Sequence, residues 1–366
     1  MEIKAQKSSL MKALSTVVNV TNTKANTLPI LGNLLLETNG KESLCIVGTD
    51  LEVGISTQMP ITVKTEGSIT VPSKKLQDII RELPEGEIEI TVAKNNAVNI
   101  KAGKSYFKIM GLGKEDYPKL PELNKNHAIE MDQALLKESL SLTSFAISND
   151  ETRYVLNGVL CLLEGKTVKF VATDGRRLAF IQKDLPKPLE TKLEMIIPIK
   201  AVQELLKILS WDGTVQIIPT QNQVIFSVGD TYLVSRLIEG HFPNYQQVIP
   251  KDESTQTILD REEFLQAVRR ASLLTSIDSP AVKLDFIKGK ILISSRSPNL
   301  GEAKEELPAE VKGKEVSIGF NPHYLTDVLK NLDAENVSFS LTDPDKPGLL
   351  KGKNGYLYVI MPMQLN

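Results

Sequence analysis

One arrangement of apolar and polar positions occurs three times along this chain. Leu76, Ile79, Ile80 and Leu83 follow an i, i+3, i+4, i+7 spacing. So do Val202, Leu205, Leu206 and Leu209, and then Leu325, Val328, Leu329 and Leu332. That spacing puts four apolar side chains on one face of an α-helix. Pro72, Pro198 and Pro322 stand near the three starts, where a residue lacking an N–H fits the unpaired first turn. The copies are offset by 126 and 123 residues (76 to 202, 202 to 325). An earlier helix is predicted in each copy. Leu10, Leu14 and Val17 mark the first, Leu136 and Leu140 the second, and Phe264, Val268 and Ala271 the third. Asp260 with Glu263 reads as a capping box for the last of these.

Between and after the paired helices lie β-prone runs, among them NLLLE, SLCIVGTDLEVGI, NGVLCLLE, TVKFVATDGRRLAFI, VKLDFI and KILISS. Thr49-Asp50 and Thr173-Asp174 fall 124 residues apart in equivalent runs, whereas the third copy has Ser294-Ser295 nearby. A supersecondary unit recurring at fixed spacing predicts repeated domains. Helices among antiparallel strands make them α+β. The expectation is three tandem domains, 1–120, 128–248 and 255–366, with polar, proline-bearing linkers at 119–128 and 248–257.

Composition narrows the chemistry. The 43 basic and 45 acidic residues leave a net charge of −2, so attraction to a polyanion must come from segregated charge. Cations recur off the apolar helix faces: Lys7, Lys12, Lys74, Lys75, Arg81, Lys137, Lys200, Lys207, Arg269, Arg270 and Lys330. If these helices face one concave surface, it would meet phosphates without reading bases. No apolar run approaches the roughly 18 residues a bilayer span needs, and MEIKAQKSSL has no apolar signal core. Cys45 and Cys161 sit in apolar strand-like runs and read as buried free thiols. A reducing cytoplasm is therefore the expected compartment.

No enzyme or metal motif emerges. His127, His241 and His323 lack partners at metal-ligand spacing. Gly111-Leu112-Gly113 lacks the rest of a dinucleotide fingerprint, and there is no GxxxxGK[ST] or GxSxG run. No cofactor is called for. The stretch FVATDGRRLAFI (170–181) remains. Its Asp174-Gly175 predicts a hairpin turn, but a bare hairpin needs neither Arg176 nor Arg177. Three readings stay open: a binding rim, a phosphate site of a hydrolase or transferase at 172–178, and a scaffold on the same repeat that binds no DNA.

LPILGNLLLE (28–37), TDLEVGI (49–55), RYVLNGVL (153–160), ATDGRRLA (172–179), FPNYQQVIP (242–250) and the terminal VIMPMQLN together resemble the bacterial DNA polymerase III beta subunit family, the sliding clamps. The resemblance covers the whole chain in order. It implies three clamp domains, two chains head to tail in a closed ring, and no catalysis. The ring would encircle double-stranded DNA irrespective of sequence. Its partners would be the polymerase III catalytic subunit, the clamp loader and other repair and replication proteins carrying a clamp-binding motif. The resemblance makes the opening turn the wall of a partner-peptide pocket. The matching positions are Leu156, Thr173, Gly175, Arg176, Arg177 and Leu178; then Pro243, Gln247, Val248 and Tyr324; then Val359, Ile360, Met361, Pro362 and Met363. The Arg177 stem is expected to pack while its head stays in water. Gln247 and Gln364 stand where the family commonly has arginine. By the same matching, Lys24, Lys74, Arg153, Tyr154 and Lys200 would touch DNA. Phe107 and Ile109 would meet Leu273 and Leu274 between chains.

Overall fold

The computed structural model describes residues 1–21, 28–123, 128–276 and 280–365, the side chains of Pro186 and Thr191 excepted. It divides into two compact units. One is Met1–Lys137 with Lys200–Leu237, the other Glu138–Ile199 with Ile238–Asn366. The expected helices are present as α1 (Lys7–Val17), α2 (Ser73–Glu82), α3 (Gln133–Thr143), α4 (Ile199–Ile208), α5 (Arg261–Ser272) and α6 (Pro322–Asn331). Their predicted apolar faces are buried, except that Ile79 and Leu206 are only half-buried. Asp260 caps α5 by accepting the Glu263 N–H at 2.8 Å, and Asn321 caps α6 by accepting that of His323 at 2.9 Å. Of the three prolines only Pro322 lies in a first turn. Pro72 and Pro198 instead end the strands that lead into α2 and α4. Ser68–Pro72 is an edge strand and Pro198 has a paired strand on one side only, so the missing donor is tolerated at both.

The first unit holds a five-stranded sheet in the order Thr62–Thr65, Glu2–Gln6, Glu87–Val92, Ala97–Ala102, Ser105–Met110. Its eight-stranded sheet joins strands of the first two repeats by pairing Val53–Pro60 with Thr231–Arg236. The second unit repeats that join. Arg177–Pro198 pairs with Tyr356–Ile360 inside a seven-stranded sheet, beside a four-stranded sheet edged by Gly301–Pro308. NGVLCLLE and TVKFVAT, expected as separate runs, form one strand, Gly158–Thr173. It runs through Gly165 at φ +56°, with register shifts on either side.

The expected linker 248–257 is not free. Thr255 already lies in a strand, and the Ser254 N–H donates to the Leu341 carbonyl at 2.9 Å. The Glu253 carboxylate accepts from Ser340 Oγ at 2.8 Å and from Lys351 Nζ. In the linker 119–128, residues 124–127 lie outside the described residues. Cys161 is buried, but Cys45 is only half-buried and lies 3.2 Å from Ser56 Oγ.

The second unit's core centres on Phe339. Its ring lies 5.4 Å edge-on from Phe286, 5.8 Å from Phe320 and 6.1 Å from Phe264. All four rings are fully buried, so truncation leaves a void that close packing cannot refill. Phe339→Ala should cost about 3–5 kcal/mol, read as a lowered urea midpoint by circular dichroism. An unchanged midpoint would contradict this packing.

Candidate functional site: a groove beside the Thr173–Arg177 turn

The turn is built by its own side chains. Thr173 Oγ1 donates to the Arg177 carbonyl at 2.6 Å and accepts the Gly175 N–H at 3.1 Å. Asp174 Oδ1 accepts the N–H groups of Arg176 and Arg177 at 2.9 and 3.0 Å. An aspartate that bonds the backbone two residues on fixes such turns. Gly175 sits at φ +86°, where a Cβ would be strained. Every N–H from 175 to 177 is thus already engaged. A phosphate cradle needs those groups free, so the turn does not offer one.

Arg177 departs from the sequence expectation. Its head is not wet, because the side chain is only 10% exposed. Nε donates to Asp174 Oδ2 at 3.0 Å, Nη1 to Asp327 Oδ2 at 2.7 Å and Nη2 to the Phe145 carbonyl at 2.6 Å. The guanidinium lies 4.5 Å from the Tyr324 ring centre, an attractive stacking distance. Burial pulls its pKa down, but Tyr358, Asp327 and Asp174 outweigh that and raise it. Burial also drives the Tyr358 hydroxyl well above its ordinary range, against the pull of Arg177. The planar fork serves two carboxylates and a carbonyl at once, which a lysine could not do. Arg177 is therefore a strut that holds α6 against the turn, and Arg176 is exposed and forms no ion pair among the described residues.

Two hollows flank this strut. The smaller, about 150 Å³, gathers Leu156, Thr173, Gly175, Arg177, Leu178, Pro243, Val248, Val359 and Met361. The larger, about 400 Å³, gathers Arg176, Tyr324, Met361, Pro362 and Met363. Met361 is their common wall. The tail reaches them because Tyr356–Ile360 is paired on both sides. Beyond it, the Met361 N–H bonds the Arg176 carbonyl at 2.9 Å and the Met363 N–H bonds that of Gly319 at 2.8 Å. A Cβ on Gly319 would lie 2.7 Å from the Met363 carbonyl oxygen, so glycine is required for the tail to lie there.

Two expected positions do not join the groove. Ile360 is fully buried, because alternation along the strand sends it to the face opposite Val359. Gln247 is exposed and lines neither hollow. Three residues were missed, Asn244 and Tyr245 in the smaller hollow and Asn321 in the larger, and Gln364, singled out only for standing where the family commonly has arginine, lines the larger as well. Tyr245–Val248 is one 3₁₀ turn, whose period places 245 and 248 on one side. Asn321 before Pro322 is a legible helix cap.

The remaining expected positions are scattered. Lys24 lies outside the described residues. Lys74, Arg153 and Tyr154 are exposed. Lys200 is not a free cation, because its Nζ is bonded to the nearly buried Asp50 carboxylate. Lys7, Arg81, Lys207 and Arg270 are likewise ion-paired. Lys137 bonds the Leu209 carbonyl at 2.6 Å. Phe107 and Ile109 lie on the outer strand Ser105–Met110, with Phe107 exposed. Leu273, just past α5, is 75% exposed, and Leu274 is half-buried. Among the described residues no three His, Cys, Asp or Glu side chains cluster as a metal site would require.

Comparison with known proteins agrees along the full length. Residues 1–121, 130–244 and 246–364 match the N-terminal, central and C-terminal domains of the DNA polymerase III beta subunit. The beta sliding clamp of Pseudomonas putida is 34% identical over 370 residues, covering 100% of both chains. That of Chlamydia muridarum is 34% identical over 358 residues, 98% of this chain and 96% of its own. The DNA polymerase sliding clamp structure from Bacillus subtilis superimposes with a TM-score of 0.95 at 32% identity, covering 100% of both chains. A Pseudomonas aeruginosa sliding clamp solved bound to griselimycin gives 0.94 at 34%, again covering 100% of each.

The two adjacent arginines should separate by experiment. Arg177→Ala strands two carboxylates and should cost about 2–4 kcal/mol, less than a fully buried pair because Asp327 is partly exposed. Arg176→Ala should stay within about 0.5 kcal/mol of the parent. Equal losses in thermal unfolding would refute the assignment of Arg177 as the strut.

Proposed function

The chain belongs to the DNA polymerase III beta subunit family and is a DNA sliding clamp, and on that premise we propose that it is a non-catalytic processivity factor working as a head-to-tail dimer. Three domains per chain, 1–120, 128–248 and 255–366, close a ring on double-stranded DNA. The groove at 173–178 captures partners by short peptides. The replicative polymerase, the clamp loader and other repair and replication proteins then compete for one tethering point. Tethering replaces dissociation by rebinding at high local concentration.

The groove carries this reading. In the smaller hollow leucine, valine, proline and methionine walls form an adaptable apolar surface, and the larger adds Arg176, Asn321 and Gln364 around Met361 to Met363. Met361 lies between two hollows, which suits a peptide with two apolar anchors. The turn's own hydrogen bonds count against a phosphate-handling enzyme at 172–178. Two edges support dimerisation. Ser105–Met110 carries Lys108 next to Lys104, and Gly301–Pro308 carries Glu302, Glu305 and Glu306 against the single Lys304, leaving it net negative. Edges of opposite charge can extend a sheet between two chains. Lys24, Lys74, Arg153, Tyr154 and Lys200 are the positions proposed to face DNA, with Lys200 needing release from Asp50. Among the described residues no helix is long and apolar enough to cross a membrane, in keeping with the proposed cytoplasmic site of action.

Retention tests the ring. The dimer should stay on closed circular DNA and run off linear DNA, and its non-topological binding should fall steeply with salt. Leu273→Ala with Leu274→Ala removes apolar burial worth about 2–5 kcal/mol per side chain. That variant should sediment as monomer and lose retention, and an unchanged dimer would sink the interface. The tail tests the groove. Deleting residues 361–366 should abolish binding of a labelled peptide with Leu and Phe anchors in fluorescence anisotropy, while sedimentation still shows a dimer. Full peptide affinity after deletion would place the site elsewhere.

A further inference from the structure

The Thr173–Arg177 turn has a twin. Thr49 Oγ1 donates to the Val53 carbonyl at 3.0 Å and accepts the Leu51 N–H at 3.0 Å. Asp50 Oδ1 accepts the N–H groups of Glu52 and Val53 at 3.1 and 2.9 Å. The Arg236 N–H bonds the Glu52 carbonyl at 2.9 Å, as that of Met361 bonds Arg176. Gly54 pairs with Val234 as Leu178 pairs with Val359. The backbone of a second groove is therefore present bond for bond within the first unit.

What differs is its filling. At the position of Leu178 stands Gly54, and a Cβ there would lie 2.3 Å from Leu120 Cδ2. The Leu120 side chain thus occupies the space that residue 54 leaves. Tyr117 holds this segment, its buried hydroxyl sharing one proton between the Asn33 and Val47 carbonyls at 3.2 and 3.1 Å. At the offset of 125 residues that also relates Tyr117-Pro118 to Phe242-Pro243, Leu120 corresponds to Tyr245, which is buried in the cluster holding Leu178. Val248, three residues further on, stands 44% exposed at an open hollow, whereas Leu120 is half-buried over Gly54. At the apex, Leu51 keeps φ +79° where the twin has Gly175. A leucine is strained there, and this one is 45% exposed, presenting apolar surface at the rim.

We infer that residues 49–54 form a second peptide groove, plugged by the chain's own Leu120, that takes a peptide leucine in Leu120's place once the plug is displaced. The occupant's chemistry is read from the plug, a branched apolar side chain on a segment anchored three residues away by Tyr117. The inference rests on the peptide-groove reading of 173–178 and adds a site that this reading does not contain.

Isothermal titration of the full-length dimer with a synthetic peptide bearing Leu and Phe in a Gly/Ser background tests it by stoichiometry. The parent should bind one peptide per chain. Leu120→Ala should bind two, and adding Leu51→Asp should return the count to one by removing only the new site. Gly54→Ala supplies a second route, because its methyl would lie 2.3 Å from Leu120 Cδ2 and so forces that side chain to shift. A folded Leu120→Ala chain that still binds one peptide overturns the inference. So does failure of both variants to fold, which would make Leu120 an ordinary core side chain. A parent that binds no peptide refutes the first groove instead. Gain of a single, Leu51-dependent peptide in Leu120→Ala would then uphold the second groove alone.

Discussion

The antiparallel seam between Arg177–Ile181 and Tyr356–Ile360 is the constraint on which the groove depends. Strand pairing is obligatory once two edges are buried, because an unpaired N–H or carbonyl away from water costs as much as a lost hydrogen bond. Pairing in this register sets Leu178 opposite Val359 and delivers Met361 beside the turn. A slip of one residue would turn Val359 away and bring Ile360 to the groove face. The tail is thus placed by the ladder that precedes it, and its side chains need no independent anchor.

Electrostatics secures the seam against α6. Arg177 reaches Asp327 and the Phe145 carbonyl from the strand's first residue. Truncating Asp327 would leave the nearly buried Arg177 charge short of a partner, so the pair constrains geometry more than it adds net stability. The arrangement also explains the division of labour between neighbouring arginines. Alternation sends 177 inward and leaves 176 at the larger hollow.

The repeats have kept a backbone and exchanged its side chains. Val53 replaces Arg177, Leu51 replaces Gly175 and Gly54 replaces Leu178, while the turn's hydrogen bonds are preserved. Asp50 then turns its second oxygen to Lys200, and Asp174 turns its own to Arg177. One scaffold thus yields an open hollow in one unit and a filled one in the other. A clamp with a single open groove per chain makes its partners compete, whereas two open grooves would let them bind together.

Much of this was legible in the residues. The helix faces, the threefold repeat, the capping at Asp260 and the turn at Asp174 follow from spacing and local chemistry, because a helix or turn is decided by residues within a few positions of one another. The pocket residues came through a resemblance of motifs, and two of them, Ile360 and Gln247, line neither hollow. The water-facing head of Arg177 was expected from the shape of its side chain, and the fold buries it. Spacing could not show that Asp327, 150 positions from Arg177, neutralises it, that Asp50 holds Lys200, or that Leu120 lies over Gly54. Periodicity reports that a side chain will be buried; the long-range pairing of strands decides against what, since that choice is made among distant segments whose local patterns are alike.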